Sequence, residues 1–337
     1  MNQPPQTYRT VDAGRLRTFA AACLKAAGMR PEHAEQLGGL LTDSDLRGVR
    51  SHGTRALYRY CLRLRAGEVN PDPALEVVRE TDTTVLVEGD GGLGYAPMML
   101  ATDKAIEKAK AKGIAMGAAR HIGHYGSAGH YVRRAMAAGC TAFSVQGSHP
   151  DRFGEGGGNR GQQAAYWGNP PICFGLPSAE EPPLVLDAAT CILADYQRGE
   201  EFDALQSMIP AAFFKSMGYT GVGVGWGGAL VGMNTPEAAR IQERWPRARQ
   251  GGLVVIIDIG AFTAPEAFRE GVDHLVRGVR QQMDPLRGYD EATLPGTVEQ
   301  RNEEAYGRDG IPIGTDEADG LLRAAEEFGV EPPWDTE

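Results

Sequence analysis

The chain has 337 residues, enough for one large domain or two lobes with a sizeable core. Charged residues make up 23% and hydrophobic residues 42%, and the net charge of −10 argues against general nucleic-acid binding, which needs a basic face. No apolar run approaches the roughly 20 residues of a membrane helix, and the start, MNQPPQTYRT, lacks the hydrophobic core of an export signal, so a cytoplasmic location without membrane contact is expected.

The N-terminal third reads as helical. Asp12 is placed to cap a helix whose Leu16, Phe19, Ala20, Cys23, Leu24 and Ala27 follow the helical period, and Gly28 ends it. Pro31 suits the first turn of a second helix with Ala34, Leu37, Leu40 and Leu41 on one face. A third helix is expected from Ser51, burying Leu57, Tyr60, Cys61 and Leu64 and stopping at Gly67. After the loop NPDP the character changes. TTVLVE at 83–88 reads as a strand, GDGGLG as a loop, residues 96–112 as a helix, and GIAMGAA as the next strand. TAFSVQ, ICFGLP and LVLDAA read as strands of a mixed sheet, and GEGGGNRG at 154–161 as a mobile or substrate-covering loop. GGLVVIIDIGAF is the clearest buried strand, followed by a helix over 265–280. Cys23, Cys61, Cys140, Cys173 and Cys191 contain no CxxC pair, which predicts reduced core thiols and neither a disulfide framework nor a metal site.

Four segments carry candidate chemistry. In DLRGVRSHGTRALYRY, residues 45–60, His52 stands among Asp45, Arg47, Arg50, Arg55 and Arg59. The local pattern fits both a solvent-facing histidine in a first helical turn and an acid–base group whose proton affinity a carboxylate such as Asp187 would raise. In RHIGHYGSAGHYVRRA, Gly126, Ser127, Ala128 and Gly129 form a small-residue turn entering a helix, open to backbone approach by a phosphate or to a plain tight helix start. Asp187 ends an apolar run, as a helix cap or as a functional acid. Gly89, Gly91 and Gly94 fit G-x-G-x-x-G between a strand and a helix, and Arg120 near the next strand would suit a 2′-phosphate. GVGWGG at 223–228 fits the same pattern, however, and a chain with 45 glycines makes chance matches common, so a plain glycine turn is expected.

In order along the chain, DLRGVRSHGT, GDGGLG, GHYGSAGHYV, GNPPICFGLP, LDAAT, GYTGVG and LPG resemble the malate/L-lactate dehydrogenase family of the second type. That family's relatives include ureidoglycolate and sulfolactate dehydrogenases and Δ1-piperideine-2-carboxylate reductases. The resemblance runs from about Asp45 to Gly329. It implies an α/β, non-Rossmann fold: a central mixed, largely antiparallel sheet flanked by helices, with a helical N-terminal lobe. Residues 1–120 with 290–337 are expected to form a helical substrate and dimerisation lobe, and 121–289 the cofactor-binding sheet lobe. The implied activity is NAD(P)H-dependent hydride transfer to a small 2-oxo acid, or from the 2-hydroxy acid, or to a cyclic imine carboxylate, in a homodimer. NADPH is slightly favoured over NADH.

Residue by residue, the resemblance implies His52 as proton donor with Ser51 and Asp187 as relay partners. It places the cofactor against His124, Tyr125, Gly126, Ser127 and Ala128, and against Gly218, Thr220, Pro295 and Gly296. Arg55, Arg50 and Asn169 are the expected substrate contacts, with no metal. Several positions depart from the family pattern. Ala56 stands where many relatives carry a carboxylate-binding arginine, Thr220 where lysine is usual, and Thr297 where glutamate is common. The 188–217 segment is short. A repurposed member with a non-redox or binding role is therefore the alternative.

Overall fold

The computed structural model describes residues 4–149, 169–192 and 199–335. The loop 154–161 lies outside the described residues. The chain divides into two compact units, one drawn from Met1–Pro73, Pro177–Leu184 and Glu266–Glu337, the other from Ala74–Leu176 and Val185–Pro265.

In the first unit, the strand β1 (Tyr8–Val11) leads into α1 (Ala13–Ala26), α2 (Pro31–Leu46) and α3 (Leu57–Arg65). Asp12 caps α1 as its position predicts, accepting from the Arg15 N–H at 2.8 Å. Pro31 opens α2, where its missing N–H leaves no helical bond unmade. Leu16, Phe19, Cys23 and Leu24 of α1, Leu37 and Leu41 of α2, and Leu57, Tyr60, Cys61 and Leu64 of α3 are all buried. The helix expected from Ser51 begins instead at Leu57. Two 3₁₀ turns, Arg50–His52 and Thr54–Ala56, precede it, separated by an extended Gly53 (φ −91°, ψ −159°).

The second unit is built on a seven-stranded sheet. Its strands are β2 (Glu76–Glu80), β3 (Thr84–Glu88), β4 (Ile114–Ile122), β5 (Cys140–Ser148), β6 (Pro171–Leu176), β7 (Leu184–Ala189) and β8 (Gln250–Asp258), in the order β2-β3-β4-β8-β5-β6-β7. The β3–β4 pair is parallel, whereas β2–β3, β4–β8, β5–β8 and β5–β6 are antiparallel, so the sheet is mixed and largely antiparallel as expected. The parallel pair needs a crossover, and α4 (Tyr95–Lys112) supplies it. The helix α5 (Gly129–Ala137) follows β4, and α6 (Glu200–Met208), α7 (Pro210–Val224) and α8 (Pro236–Arg244) fall in the span between β7 and β8. The chain then returns to the first unit through α9 (Pro265–Gln282), α10 (Thr297–Asp309), β9 (Ile311–Gly314), which pairs antiparallel with β1, and α11 (Thr315–Phe328). Residues 74–120, grouped by sequence with the helical lobe, lie in the sheet unit, because β3 and β4 hydrogen-bond into one sheet with β8.

A single π-helical turn, Gly225–Ala229, continues α7 and lies against the sheet backbone. A Cβ on Gly227 would come within 2.3 Å of the Gly147 nitrogen on β5, and one on Gly251 of β8 within 2.5 Å of the Gly227 oxygen. At Gly225 no described atom lies within 4 Å of that position. Gly227→Ala should therefore cost about 1–3 kcal/mol by overpacking, whereas Gly225→Ala should be neutral or stabilise by about 0.5–1 kcal/mol. Urea unfolding of the two variants checks this contrast.

Candidate active site

His52 sits on the first 3₁₀ turn, half-buried, with the exposed Ser51 hydroxyl 3.1 Å from its Nδ1. In a neutral imidazole with that hydroxyl donating to Nδ1 the ring proton sits on Nε2, whereas an imidazolium donates from Nδ1 to the hydroxyl oxygen. The turn is held by its own backbone, His52 N–H bonding to the Val49 carbonyl at 3.0 Å and Gly53 N–H to the Arg50 carbonyl at 3.1 Å.

The flanking arginines divide. Arg47 is paired with Glu303 at 2.7 Å, and Arg50 faces the buried Glu317 of α11 at 3.7 Å. Arg55 and Arg59 are exposed, and no described carboxylate lies within ion-pair distance of either. Arg55 and Ala56 share the second 3₁₀ turn and face different ways, Arg55 exposed and Ala56 buried. Ala56 is buried at 3% exposure, so at that position an arginine would have pointed inward in this chain.

Behind the turn lies an acid to which the sequence pattern assigned no role. Asp45, in the last turn of α2, is 3% exposed. Its Oδ2 accepts from the Thr54 N–H at 2.8 Å and from the Thr54 hydroxyl at 2.6 Å. Burial pushes its pKa up to about 7, against the opposing effect of the two Thr54 hydrogen bonds. The only hint in the sequence was an aspartate closely preceding a Gly-Thr pair, and burial is not written into that spacing.

In the sheet unit, the turn between β4 and α5 carries His124 to Ala128. Tyr125 is buried. Its N–H donates to the Gln250 side-chain oxygen at 3.0 Å, its hydroxyl bonds Ser144, and its carbonyl accepts from Tyr131 at 2.6 Å. Gly126 has φ +86°, and a Cβ there would strike the Tyr95 ring. Asp187, within β7, caps α5: its Oδ2 accepts from the Ser127 hydroxyl at 2.5 Å and the Gly129 N–H at 2.8 Å. The choice between cap and acid left open by the sequence thus has a partial answer, since a carboxylate stabilises a helix N-terminus and this one does so for a helix distant in sequence. Ser51 and His52 belong to the helical unit, Asp187 to the sheet unit.

Two more expected residues meet near the end of β7. Asn169 accepts from the Cys191 N–H at 3.0 Å. Thr220 lies in the interior of α7, buried, its hydroxyl 2.9 Å from both the Ser216 carbonyl and the Thr190 hydroxyl oxygen. Its hydroxyl is thereby engaged inside the protein. At Gly218 on the same helix, a Cβ would meet no described atom within 4 Å. Pro295 and Gly296 form the turn before α10 in the helical unit, where Gly296 has φ +104° and its N–H donates to Glu299 at 3.1 Å.

The GDGGLG segment occupies the place a dinucleotide loop would take, between β3 and α4 of a parallel βαβ unit. The protein itself fills it. A Cβ on Gly91 (φ +75°) would lie 2.2 Å from the Trp245 ring, one on Gly94 2.9 Å from the Tyr125 Cα, and one on Gly89 2.3 Å from the Ile122 side chain. Its glycines admit neighbouring side chains and backbone, as expected of a plain glycine turn. Arg120 is engaged by Glu88 at 2.9 Å and Glu237 at 3.1 Å, so its guanidinium is already neutralised by two carboxylates. The second match, 223–228, is the end of α7 and the π turn.

The malate/L-lactate dehydrogenase family model matches residues 11–199. Over 91% of this chain and 94% of its own length, the L-sulfolactate dehydrogenase of Methanocaldococcus jannaschii is 28% identical. The malate dehydrogenase of Pyrococcus horikoshii is 35% identical over 56% of this chain and 51% of its own. The solved structure of the P. horikoshii malate dehydrogenase superposes with a TM-score of 0.81 at 25% identity, covering 98% of each chain. The Δ1-piperideine-2-carboxylate reductase of Pseudomonas syringae, at 20% identity and a TM-score of 0.67, shares the fold.

These similarities, with the mixed sheet and helical unit described above, define a class of non-Rossmann oxidoreductases. The chain belongs to the malate/L-lactate dehydrogenase family.

The Asp45 carboxyl makes a stability prediction. Its folded pKa lies above the unfolded value, so its contribution is fully present below about pH 4 and is lost as pH rises through about 7. Asp45→Asn removes the cost of burying the ionised form. In urea unfolding, the stability of the variant relative to the native protein should improve by about 4 kcal/mol between pH 4 and pH 8. An equal difference at both pH values would contradict the buried ionisation.

Proposed function

We propose that this protein is an NAD(P)H-dependent oxidoreductase that reduces a small 2-oxo acid, or a cyclic imine carrying a carboxylate, with His52 as the proton donor. The observation that supports it most directly is the Ser51 hydroxyl 3.1 Å from His52 Nδ1, on a turn braced from behind and flanked by the exposed Arg55. The names of the relatives, sulfolactate, malate and ureidoglycolate dehydrogenases, support the substrate class.

When bound, a reduced nicotinamide supplies a hydride to the carbonyl or imine carbon. His52, as the imidazolium, gives its Nε2 proton to the oxygen or nitrogen that gains electrons and is left as the neutral imidazole, with the Ser51 hydroxyl oxygen accepting from Nδ1–H before the transfer. Arg55 holds the substrate carboxylate through its planar fork of N–H donors. Arg50 lends positive charge to the turn while pairing Glu317. Asp187 holds Ser127 and the start of α5, so its part in this reading is to fix the His124–Ala128 turn. Gly218, where a Cβ would meet no described atom within 4 Å, leaves room for a cofactor beside α7, whereas the His124–Ala128 turn, packed on Tyr95 and bonded to Gln250 and Asp187, enters the reading through the family pattern. Pro295 and Gly296, in the helical unit, enter the reading through the family pattern, whereas Thr220 contributes no outward group. The homodimer belongs to the same proposal. Phe214, Tyr219, Trp226 and Leu230, on α7 and the π turn, are all exposed and give an apolar face for association.

The inward-turned Thr220 favours a second reading, a family fold that binds the cofactor without reducing a carbonyl. Fluorescence titration with NADH and NADPH, followed by absorbance assays with pyruvate, oxaloacetate and cyclic imine carboxylates, separates the two. Turnover of any of these supports the reductase, and cofactor binding without turnover supports the second reading. His52→Ala should lower kcat by about 10²–10⁴-fold with cofactor affinity unchanged. An unaltered kcat would remove His52 as the acid. Arg55→Ala should raise KM for the acid by about tenfold or more, the loss of one charge-assisted pair.

A further inference from the structure

We infer that Asp45 is the positioning residue that sets where the Ser51–His52 pair sits, holding the back of their turn through Thr54 and through the bare face of Gly53. The inference rests on the proposal that His52 is the working acid.

Asp45 ties the segment at both ends. Its carbonyl accepts the Gly48 N–H at 2.9 Å, just after α2, and its side chain accepts both Thr54 donors, just after His52 and Gly53. The neighbouring Val49 N–H is bonded to the Ser44 carbonyl at 2.8 Å, which fixes the base of the loop. Between the two anchors the carboxylate passes under the turn. A Cβ on Gly53 would lie only 1.7 Å from Asp45 Oδ1 and 2.4 Å from its Cγ. Asp45 and Gly53 therefore form one steric unit, since only a glycine admits the carboxylate and a side chain of this length reaches Thr54 from α2.

A side chain chosen solely to hold Thr54 would not need a charge. Burying a carboxylate without a cation in contact is unfavourable, and asparagine could accept the same hydrogen bonds. The charged groups around Asp45 do not neutralise it. From the 3₁₀ turn, Arg50 attracts it but pairs with Glu317, and Glu317 from α11 repels it. Its ionisation, with burial pushing the pKa up to about 7, changes the strength of both Thr54 bonds in a range where the enzyme would work. The acid thus carries a second property besides shape: its proton alters how firmly the turn is held.

The test uses four variants of the full chain: Asp45→Ala, Asp45→Asn, Gly53→Ala, and Asp45→Ala combined with Gly53→Ala. Readouts are kcat, KM, cofactor Kd, the pH profile of kcat, and the NMR titration of the His52 imidazole. Asp45→Ala should lower kcat by about 10²-fold through misplacement of the acid, with cofactor Kd within about twofold. Asp45→Asn should restore most of kcat and flatten the pH profile near neutrality. Gly53→Ala should be damaging alone and add little on the Asp45→Ala background, where the colliding oxygen is gone. Additive losses, or Asp45→Ala with native kcat and a native His52 signal, would overturn the inference. If Asp45→Ala does not fold, Asp45→Ser, which removes the charge and shortens the reach, is judged by the same criteria. If the native protein reduces no carbonyl or imine, the functional proposal fails separately. The His52 titration then decides alone: an imidazole signal displaced in the alanine variant and restored in the asparagine variant supports positioning, and an unmoved signal overturns it.

Discussion

Carboxylates that accept backbone N–H groups from another segment recur throughout this molecule, and both units depend on them. Asp45 holds Thr54, Asp187 holds Gly129 together with the Ser127 hydroxyl, and Asp273 of α9 accepts from the backbone of Ala179, Glu180 and Glu181. In each case an acid takes over donors that a loop or helix start cannot satisfy by itself. The charge-assisted bond is stronger than a neutral one, and it fixes a connection where apolar packing is thin. Asp273 is pinned further by Arg277, which also reaches Glu180 and Glu181. A net charge of −10 looks from composition like a solubility feature, yet several of those acids are internal fasteners.

These fasteners coincide with the segments proposed to carry the chemistry. Asp45 stands behind the Ser51–His52 turn, and Asp187 stands at the mouth of α5 below the His124–Ala128 turn. Loops that bind or react need defined positions, while their own residues are too few to bury a core. Holding them from a helix end and a strand transfers the rigidity of the scaffold to the working groups. Glycine makes the close approach possible. At Gly53, at Gly129, whose Cβ would lie 2.8 Å from Asp187 Oδ2, and where the π turn meets β5, a methyl group would collide.

Much of the candidate site was legible as sequence pattern because it is local. Ser51-His52, the small-residue turn at 126–129 and the acid in LVLDAA are contiguous patterns, and the helices and strands around them follow from apolar periodicity. The misleading element was also local. GDGGLG has the sequence, and even the βαβ setting, of a dinucleotide loop, but Trp245 arrives from far along the chain to fill it. Arg120 misleads in the same way, its charge already matched by Glu88 and Glu237. Neither partner can be paired with its target from spacing.

The sequence by itself determined the helical and strand periods, the caps at Asp12 and Pro31, the thiols as core residues, and the family to which the ordered motifs point. Tertiary structure alone decided that the chain breaks into two 3₁₀ turns at Gly53, that residues 74–120 join the sheet, that Thr220 faces inward, and that Asp45 is buried with Thr54 as its hydrogen-bond donor. The reason is physical. Periodicity and capping are governed by interactions within a few residues, whereas burial, steric admission and the choice of hydrogen-bond partner depend on what distant segments bring to the same place.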